Sequence, residues 1–302
     1  MESDVNPEFE AVRRVNLVGS LWMVMAMAAF SVEDTFIKAA TETLPIGQVL
    51  IIFGAGGAIV FAWLARLNGD VLYTPEVASR PMLIRVFFEI TGRLFYGLAI
   101  ALTPLSAATV ILQATPIVVV AGAALIFKEH VGWRRWVAIL TGLLGVIVII
   151  QPGTDSFSPL SILALIGMIG FAGRDLASRA APASISTHLL GVYGFLSVIV
   201  AGVIFALWEG TEFASLRVEV SLFLLAAILA GTLAYAGLMK AMRTGEVSAV
   251  TPFRYTRLLF GIALGIAVFG EQLSLSMAVG SGLIVLSGMF ILWRGKQAVK
   301  KP

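Results

Sequence analysis

The sequence contains no cysteine, only two histidines, and 13% charged residues among its 302 positions. The lack of cysteine excludes disulfides, thiol catalysis and cysteine-metal sites. The two histidines, His130 and His188, lie far apart at predicted helix ends, and such a pair does not form a zinc-protease or di-metal site by itself. A soluble domain averages about 25% charged residues, which cover its surface. A chain this poor in charge is expected to face something other than water.

Long apolar runs take the place of the missing charge: 59% of the residues are hydrophobic and the mean hydropathy is +0.95. A helix needs roughly 20 apolar residues to cross about 30 Å of hydrocarbon. The first run is too long for a signal peptide and follows an acidic, polar start, so it is interpreted as the first span. The sequence predicts an all-α polytopic membrane protein with ten transmembrane helices, at 15–37, 46–66, 82–102, 106–126, 133–150, 160–178, 187–208, 218–240, 248–269 and 274–293.

Lysine and arginine collect on one side of the predicted bundle. With the N-terminus in the cytoplasm, only Lys38 and Arg217 lie outside, whereas fifteen basic residues lie inside, and this bias orients inner-membrane proteins. Both termini are therefore predicted to be cytoplasmic. Because the basic residues sit in short loops between apolar runs, nucleic acid is not an expected partner. The inside residues are Arg13, Arg14, Arg66, Arg80, Arg85, Lys128, Arg134, Arg135, Arg179, Lys240, Arg243, Arg294, Lys296, Lys300 and Lys301.

The two halves of the chain repeat one another. Two groups of motifs recur at nearly one offset, 141 or 142 residues, which is harder to ascribe to chance than either match alone. A repeat of five helices must face the opposite way in its second copy, and inverted repeats are typical of alternating-access transporters. The predicted organisation is a cytoplasmic tail (1–14), two repeats (15–153 and 154–294) and a basic cytoplasmic tail (295–302). The matching motifs are Phe30-x-x-x-Asp34-x-x-x-Lys38 with Phe171-x-x-x-Asp175-x-x-x-Arg179, and Ser106-Ala107-x-Thr109 and Phe127-x-Glu129 with Ser248-Ala249-x-Thr251 and Phe269-x-Glu271.

Eight charged residues fall within the predicted spans, where each costs about 2.5–3.5 kcal/mol unless it faces a cavity or a partner. They occur only in the first, third, sixth and ninth spans, and Gln113 and Tyr235 add polar groups in the fourth and eighth. The sequence predicts that these six spans line a central cavity while the other four face lipid. The eight are Glu33, Asp34, Glu89, Arg93, Arg174, Asp175, Arg254 and Arg257.

Several of these charges have both a structural and a functional interpretation. Asp34 with Lys38 and Asp175 with Arg179 have the i,i+4 spacing of helical ion pairs, so they are interpreted as structural pairs or gates, with solute contact as the alternative. Glu89 and Arg93 share this spacing. They form either a self-contained ion pair or part of a solute site that Tyr96 continues on the same face. Glu33 and Arg174 match across the repeat but carry opposite charge, a divergence that favours function.

Arg254 and Arg257 give the sharpest functional signal. They share a helix face at i,i+3 and have no acid on their own helix, so two neighbouring guanidiniums call for an anion. That anion is either Glu89 or a carboxylate or phosphate of the solute. Across the repeat, Gln113 matches Tyr255 and Arg93 matches Tyr235, as residues around a central site would. The predicted solute-binding residues are Arg93, Tyr96, Gln113, Tyr235, Arg254, Tyr255 and Arg257, and the predicted coupling or gating residues are Glu33, Asp34, Glu89, Arg174 and Asp175.

Further motifs are spread over nearly the whole chain: Pro104-Leu105-Ser106-Ala107-Ala108, Pro116, Phe127-Lys128-Glu129-x-x-Gly132-Trp133, Gly142-x-x-Gly145 and Gln151-Pro152-Gly153, then Glu246-Val247-Ser248-Ala249, Phe269-Gly270-Glu271 and Gly280-x-Gly282. With these motifs the chain resembles the EamA family of the drug/metabolite transporter superfamily. The resemblance implies a secondary carrier with a central cavity lined by the same six spans. The stretch from Arg254 to Arg257 is commonly apolar or weakly polar in that family, so the charges here favour a zwitterionic or anionic metabolite over a hydrophobic drug.

The predicted function is transport of an amino acid, carboxylate or vitamin-like metabolite across the inner membrane by alternating access, without a metal or cofactor. The expected partners are a small-molecule solute and the lipid bilayer, and a coupling proton and a homodimer remain open. An exporter of amphipathic drugs or amines is the alternative within the family. An intramembrane enzyme is disfavoured, since both histidines lie at helix ends and neither is placed within a span to activate a nucleophile.

Overall fold

The computed structural model describes residues 7–102, 111–112, 114–150 and 160–269, and near the C-terminus 275, 278–280, 282–287 and 290. All regular structure in this part of the chain is helical. The α-helices are α1 (Pro7–Thr41), α2 (Ile46–Leu67), α3 (Arg80–Leu102), α4 (Thr115–Ile126), α5 (Trp133–Ile150), α6 (Ser161–Ala180), α7 (Thr187–Glu209), α8 (Val218–Arg243), α9 (Val247–Val250) and α10 (Thr256–Phe269), with 3-10 turns at Pro75–Ala78 and Thr251–Tyr255.

The helices follow the predicted spans closely, with one informative difference. The ninth span, predicted as one helix over 248–269, consists of α9, the 3-10 turn and α10 in succession. Pro252 lies at the start of that turn and has no N–H to donate, so a regular α-helix cannot pass through it unchanged. This break lies just before Arg254 and Arg257. The fourth span, 106–126, and the tenth, 274–293, fall on residues that are only partly described.

Three antiparallel helix pairs form the bundle: α1 with α8, α2 with α7, and α3 with α6. Glycines let the α2–α7 backbones approach closely: Gly191 packs on Phe61, and a Cβ added to Gly202 would lie 3.0 Å from Ile51 and Leu50. Phe61 and Gly202 are separated by 141 residues, as are Leu50 and Gly191. One contact therefore becomes the other when the halves are exchanged. The α2–α7 interface maps onto itself, as expected for two copies related by a two-fold axis.

The bundle has an apolar outside and a charged inside. Four of the described helices, α1, α2, α7 and α8, are long and apolar enough to cross a membrane. Large hydrophobic side chains such as Trp63 of α2, Leu144 of α5, Leu207 of α7 and Leu229 of α8 are exposed on the outer surface. This distribution reverses that of a soluble domain and fits a protein with lipid as its solvent. The charged side chains of the interior converge between α1, α3, α6, α8 and α10.

Candidate functional site

Glu89 of α3 lies at the centre of the buried charges and is 0% exposed. Its Oε1 lies 3.2 Å from Nη1 of Arg174 on α6 and 3.7 Å from Nε of Arg93. Its Oε2 accepts a hydrogen bond of 2.9 Å from the hydroxyl of Tyr235 on α8. The predicted i,i+4 pair of Glu89 and Arg93 is therefore present. Glu89 also joins three helices, which the sequence pattern did not show.

Arg85 of α3 also belongs to this buried group. The sequence predicts it among the basic residues of the cytoplasmic side, but this prediction is wrong, because its side chain is fully buried. Its guanidinium donates to Ser178 Oγ at 3.0 Å and to the carbonyl of Leu190 at 2.6 Å, and also to the hydroxyl of Tyr235. These acceptors come from three other helices and satisfy Nε and Nη2, whereas the buried Nη1 has no hydrogen-bond partner. Its position near the start of α3 made it look like a loop residue.

Asp175 of α6 extends the charged group beyond Arg174, because it pairs with both Arg174 and Arg254. Its Oδ1 accepts a hydrogen bond of 2.8 Å from Nε of Arg174, and its Oδ2 pairs with Arg254. The predicted pair of Asp175 with Arg179 is wrong, because Asp175 is turned into the bundle while Arg179 donates to the carbonyl of Met242 at 3.4 Å. A buried acid with two guanidiniums is better compensated than an i,i+4 pair at a helix end.

Asp34 and Arg257 form the solvent-exposed end of the charged group. The acid beside Arg257 is Asp34 and the acid beside Arg254 is Asp175, so the prediction of Glu89 as their partner is wrong. Asp34 Oδ2 lies 2.5 Å from Nη2 of Arg257, and the two side chains are 54% and 33% exposed. The guanidinium also lies over the ring of Phe30, 5.0 Å from its centroid, a cation–π arrangement. The expected partner of Asp34 was Lys38, whose side chain lies outside what the structure describes. One ion pair of the charged group is thus partly exposed to solvent, while Glu89 and Asp175 are fully buried.

Aromatic rings lie beside the charges, as the sequence suggested. The ring of Phe171 has the guanidiniums of Arg174 and Arg93 at 5.1 and 5.9 Å from its centroid. Tyr96 packs edge-on against the same ring at 5.9 Å. Tyr255 instead lies in an apolar cluster with Ile284. Gln113 falls outside the described residues, so its place in the site stays a prediction.

The opposite end of the bundle is closed by contacts between the two halves of the chain. Glu129, which precedes α5, accepts hydrogen bonds from the backbone N–H groups of Val247 and Ser248 at 3.0 and 3.1 Å. Arg135 donates to Ser248 Oγ at 2.5 Å and pairs with Glu246. At the start of α1, Asn16 Oδ1 accepts from the backbone N–H of Glu246 at 2.8 Å. We call this group, Asn16, Glu129, Arg135 and residues 246–248, the inter-repeat latch.

The latch gives a structural role to motifs that the sequence analysis used only as repeat and family markers. Glu129 belongs to Phe127-x-Glu129 of the first half, and it binds the start of Ser248-Ala249 in the second half. The available signal was the acid placed before one helix of each half, together with a Ser-Ala pair before another. The sequence alone did not bring the two motifs together, because they are more than 100 residues apart.

The apolar exterior, the paired halves and the charged interior fit a multi-pass membrane protein. The chain belongs to the EamA-like transporter family, whose sequence pattern matches residues 17–151 and again 159–293. The two matches confirm that the chain contains two copies of one unit. Transport rather than enzymatic catalysis is the activity of this family.

Relatives of this chain match over almost their entire length. The chain is 27% identical over 296 residues to a riboflavin transporter of Vibrio cholerae, covering 95% of this chain and 97% of that one. It is 24% identical over 289 residues to an S-adenosylmethionine uptake transporter of Rickettsia prowazekii, covering 94% and 95%. A protein of known crystal structure shares the fold, with a TM-score of 0.76 at 19% identity over 93% of this chain and 98% of that one.

Proposed function

We propose that this chain carries a small zwitterionic or anionic metabolite across the bacterial inner membrane by alternating access. The observation that carries the proposal is the exposed Asp34–Arg257 pair, which is the first of a series of charges continuing to the buried Asp175 and Glu89. A solute entering from this end meets a guanidinium whose hydrogen bonds to Asp34 use Nε and Nη2. Among the described residues its Nη1 has no hydrogen-bond partner, so it can donate to a carboxylate or phosphate.

The balance of interior charge favours a solute with an anionic group. Arginines outnumber acids by five to four in the described interior, and an anion would offset the excess. A hydrophobic drug would leave these groups uncompensated, which argues against the drug-exporter alternative. The named solutes of the two relatives are also polar metabolites, and S-adenosylmethionine carries an amino-acid zwitterion. The interior residues counted are Arg85, Arg93, Arg174, Arg254 and Arg257 with Glu33, Asp34, Glu89 and Asp175.

The proposal includes inverted repeats with both termini in the cytoplasm. The antiparallel helix pairs and the self-matching α2–α7 interface support it, as does the excess of lysine and arginine at the latch end. Because the chain has no cysteine, single cysteines can test this without background. We expect an impermeant maleimide added outside intact cells to label Glu212→Cys but not Tyr73→Cys. The reverse pattern would overturn the orientation.

The solute can be identified with purified protein. We expect a thermal-shift screen of riboflavin, S-adenosylmethionine, amino acids, dicarboxylates and nucleosides to give at least one stabilising compound, and proteoliposomes to take it up saturably. Arg257→Gln should reduce that uptake at least tenfold, whereas Arg66→Gln, which removes an exposed guanidinium at the end of α2, should not. Non-saturable flux would indicate a channel, and unchanged uptake by Arg257→Gln would remove this residue from the site.

A further inference from the structure

Glu33 of α1 differs from every other acid in the described interior. Its side chain is 2% exposed, and its Oε2 is buried without a hydrogen-bond partner. Asp34, Glu89 and Asp175 each pair with at least one arginine. Glu33 forms no such pair with the arginines that the structure describes. It is therefore a buried carboxyl group whose charge no described neighbour directly compensates.

The space around Glu33 Oε2 is too small for a solute. A Cβ placed on Gly231 of α8 would lie 3.1 Å from this oxygen, and it would also collide with the ring of Phe53 from α2. Phe53 is 0% exposed. An ammonium-bearing metabolite cannot reach an oxygen enclosed in this way, whereas a proton can.

Charged groups face Glu33 from several helices without contacting it. Asp34 is its neighbour on α1. Three arginines on other elements place positive charge near the Glu33 carboxyl group: Arg93 of α3, Arg257 of α10 and Arg174 of α6. Arg93 has the strongest influence of the three. An ionised carboxylate at this depth loses its hydration, and cations outside hydrogen-bonding distance restore only part of the lost free energy. A buried acid in this situation takes up a proton instead.

We propose that Glu33 carries the coupling proton of the transport cycle. It is protonated in the conformation described, with the latch closed, and it releases its proton when the latch opens and water enters from that end. The inference rests on the proposed carrier function and adds the coupling ion to it.

The surrounding charges determine which solute moves with the proton. With Glu33 neutral, five arginines face three ionised acids, so the interior attracts an anionic group more strongly. Because coupling between two binding sites is reciprocal, an anion bound at Arg257 favours the protonated form of Glu33 in turn. A proton and an anionic or zwitterionic solute therefore cross together, in the same direction.

Infrared spectroscopy tests the protonation directly and requires no solute. We expect the purified wild-type protein at neutral pH to show the carbonyl stretch of a protonated carboxylic acid. Glu33→Gln should lose this band and Glu76→Gln, at an exposed position, should retain it. Because glutamine resembles the protonated carboxyl, Glu33→Gln should keep the wild-type melting temperature. Identical spectra for the wild type and Glu33→Gln, or a large loss of stability in Glu33→Gln, would overturn the proposal.

A second arm tests the release step. Val250, which is 0% exposed beside the latch, becomes a reporter as Val250→Cys in this cysteine-free chain. Adding Arg135→Ala should open the latch, make the new thiol reactive and remove the carboxylic acid band at the same pH. A reactive thiol with an unchanged band would overturn the proton-release step.

Transport assays distinguish the role of Glu33 from the proposed carrier function on which it rests. With a solute that the wild type takes up saturably, an inward proton gradient should drive accumulation. Glu33→Gln should still exchange labelled for unlabelled solute but no longer accumulate it. Saturable uptake that ignores the proton gradient would overturn the role of Glu33 and leave the carrier intact. Absence of saturable uptake of any compound in the screen would overturn the carrier function itself.

Discussion

The two ends of α1 lie in contrasting surroundings. At its start, Asn16 belongs to the latch, where a carboxylate and an amide oxygen accept from backbone N–H groups and fix the two halves together. Eighteen residues later, about 27 Å along the helix, Asp34 faces Arg257 in a half-exposed pair. One end is closed by main-chain hydrogen bonds and the other is open to water.

In the proposed alternating-access cycle, this difference predicts which contacts must break when the conformation changes. Hydrogen bonds to charged groups stabilise by about 1.5–3 kcal/mol, whereas an exposed ion pair contributes about 0–1 kcal/mol. The closed end therefore holds most of the free energy that separates this conformation from one open on the other side. The open end can bind and release a solute at little cost.

We expect the largest effect from a change to the buried charges that lie between the two ends. Glu89→Gln removes the acid that Arg174 and Arg93 share, and it leaves buried positive charge uncompensated. We expect the free energy of unfolding to fall by about 3–5 kcal/mol. Thermal unfolding in detergent measures this, with Glu76→Gln as the matched control. A melting temperature equal to that of the control would show that Glu89 is not the electrostatic centre of the bundle.

The latch provides the next largest effect. Glu129→Gln weakens the hydrogen bonds to Val247 and Ser248 and should favour opening by about 1.5–3 kcal/mol. In the Val250→Cys background we expect the thiol to react roughly ten- to a hundredfold faster with maleimide. Glu209→Gln, at the end of α7 away from the latch, is the matched control. No change in the reaction rate would mean that Glu129 does not hold this end closed.

The open end should give the smallest effect on stability. Asp34→Asn removes a half-exposed ion pair, so we expect the free energy of unfolding to change by about 1 kcal/mol or less. Solute uptake should nevertheless fall, because Arg257 loses the acid that orients it. Paired melting and uptake measurements on the same preparation check both expectations. A loss of stability as large as that of Glu89→Gln would contradict the division between open and closed ends.

Sequence reasoning predicted the helices well because apolar runs of the right length have few alternatives. Its errors concern ion-pair partners, which depend on the tertiary structure rather than on spacing along the chain. Asp175 has Arg179 one turn away on its own helix, but an i,i+4 pair stabilises by only about 0.2–0.5 kcal/mol. Buried contacts with Arg174 and Arg254 outweigh that amount. Local spacing shows which pairs can form, and burial decides which do.

The candidate site was predictable in part. Charges scattered over four spans had to meet, since none could remain alone in lipid, and the structure brings Glu89, Arg174, Asp175 and Arg254 together. Arg85 was missed because its position near the start of α3 places it in a basic, loop-like stretch. Its burial depends on Tyr235 and Ser178, distant residues that no local pattern connects to it.

The α2–α7 interface has a consequence for how the molecule can move. Exchanging the two halves turns this contact into itself, so we expect it to keep the same form in both conformations of the proposed alternating-access cycle. Gly54 and Phe195, which also meet at this interface, are separated by the same 141 positions. The α2–α7 interface can then stay in place as a pivot while the α1–α8 and α3–α6 pairs exchange positions around it. Tight glycine packing there gives such a pivot its stiffness, and a covalent staple across it would leave turnover intact.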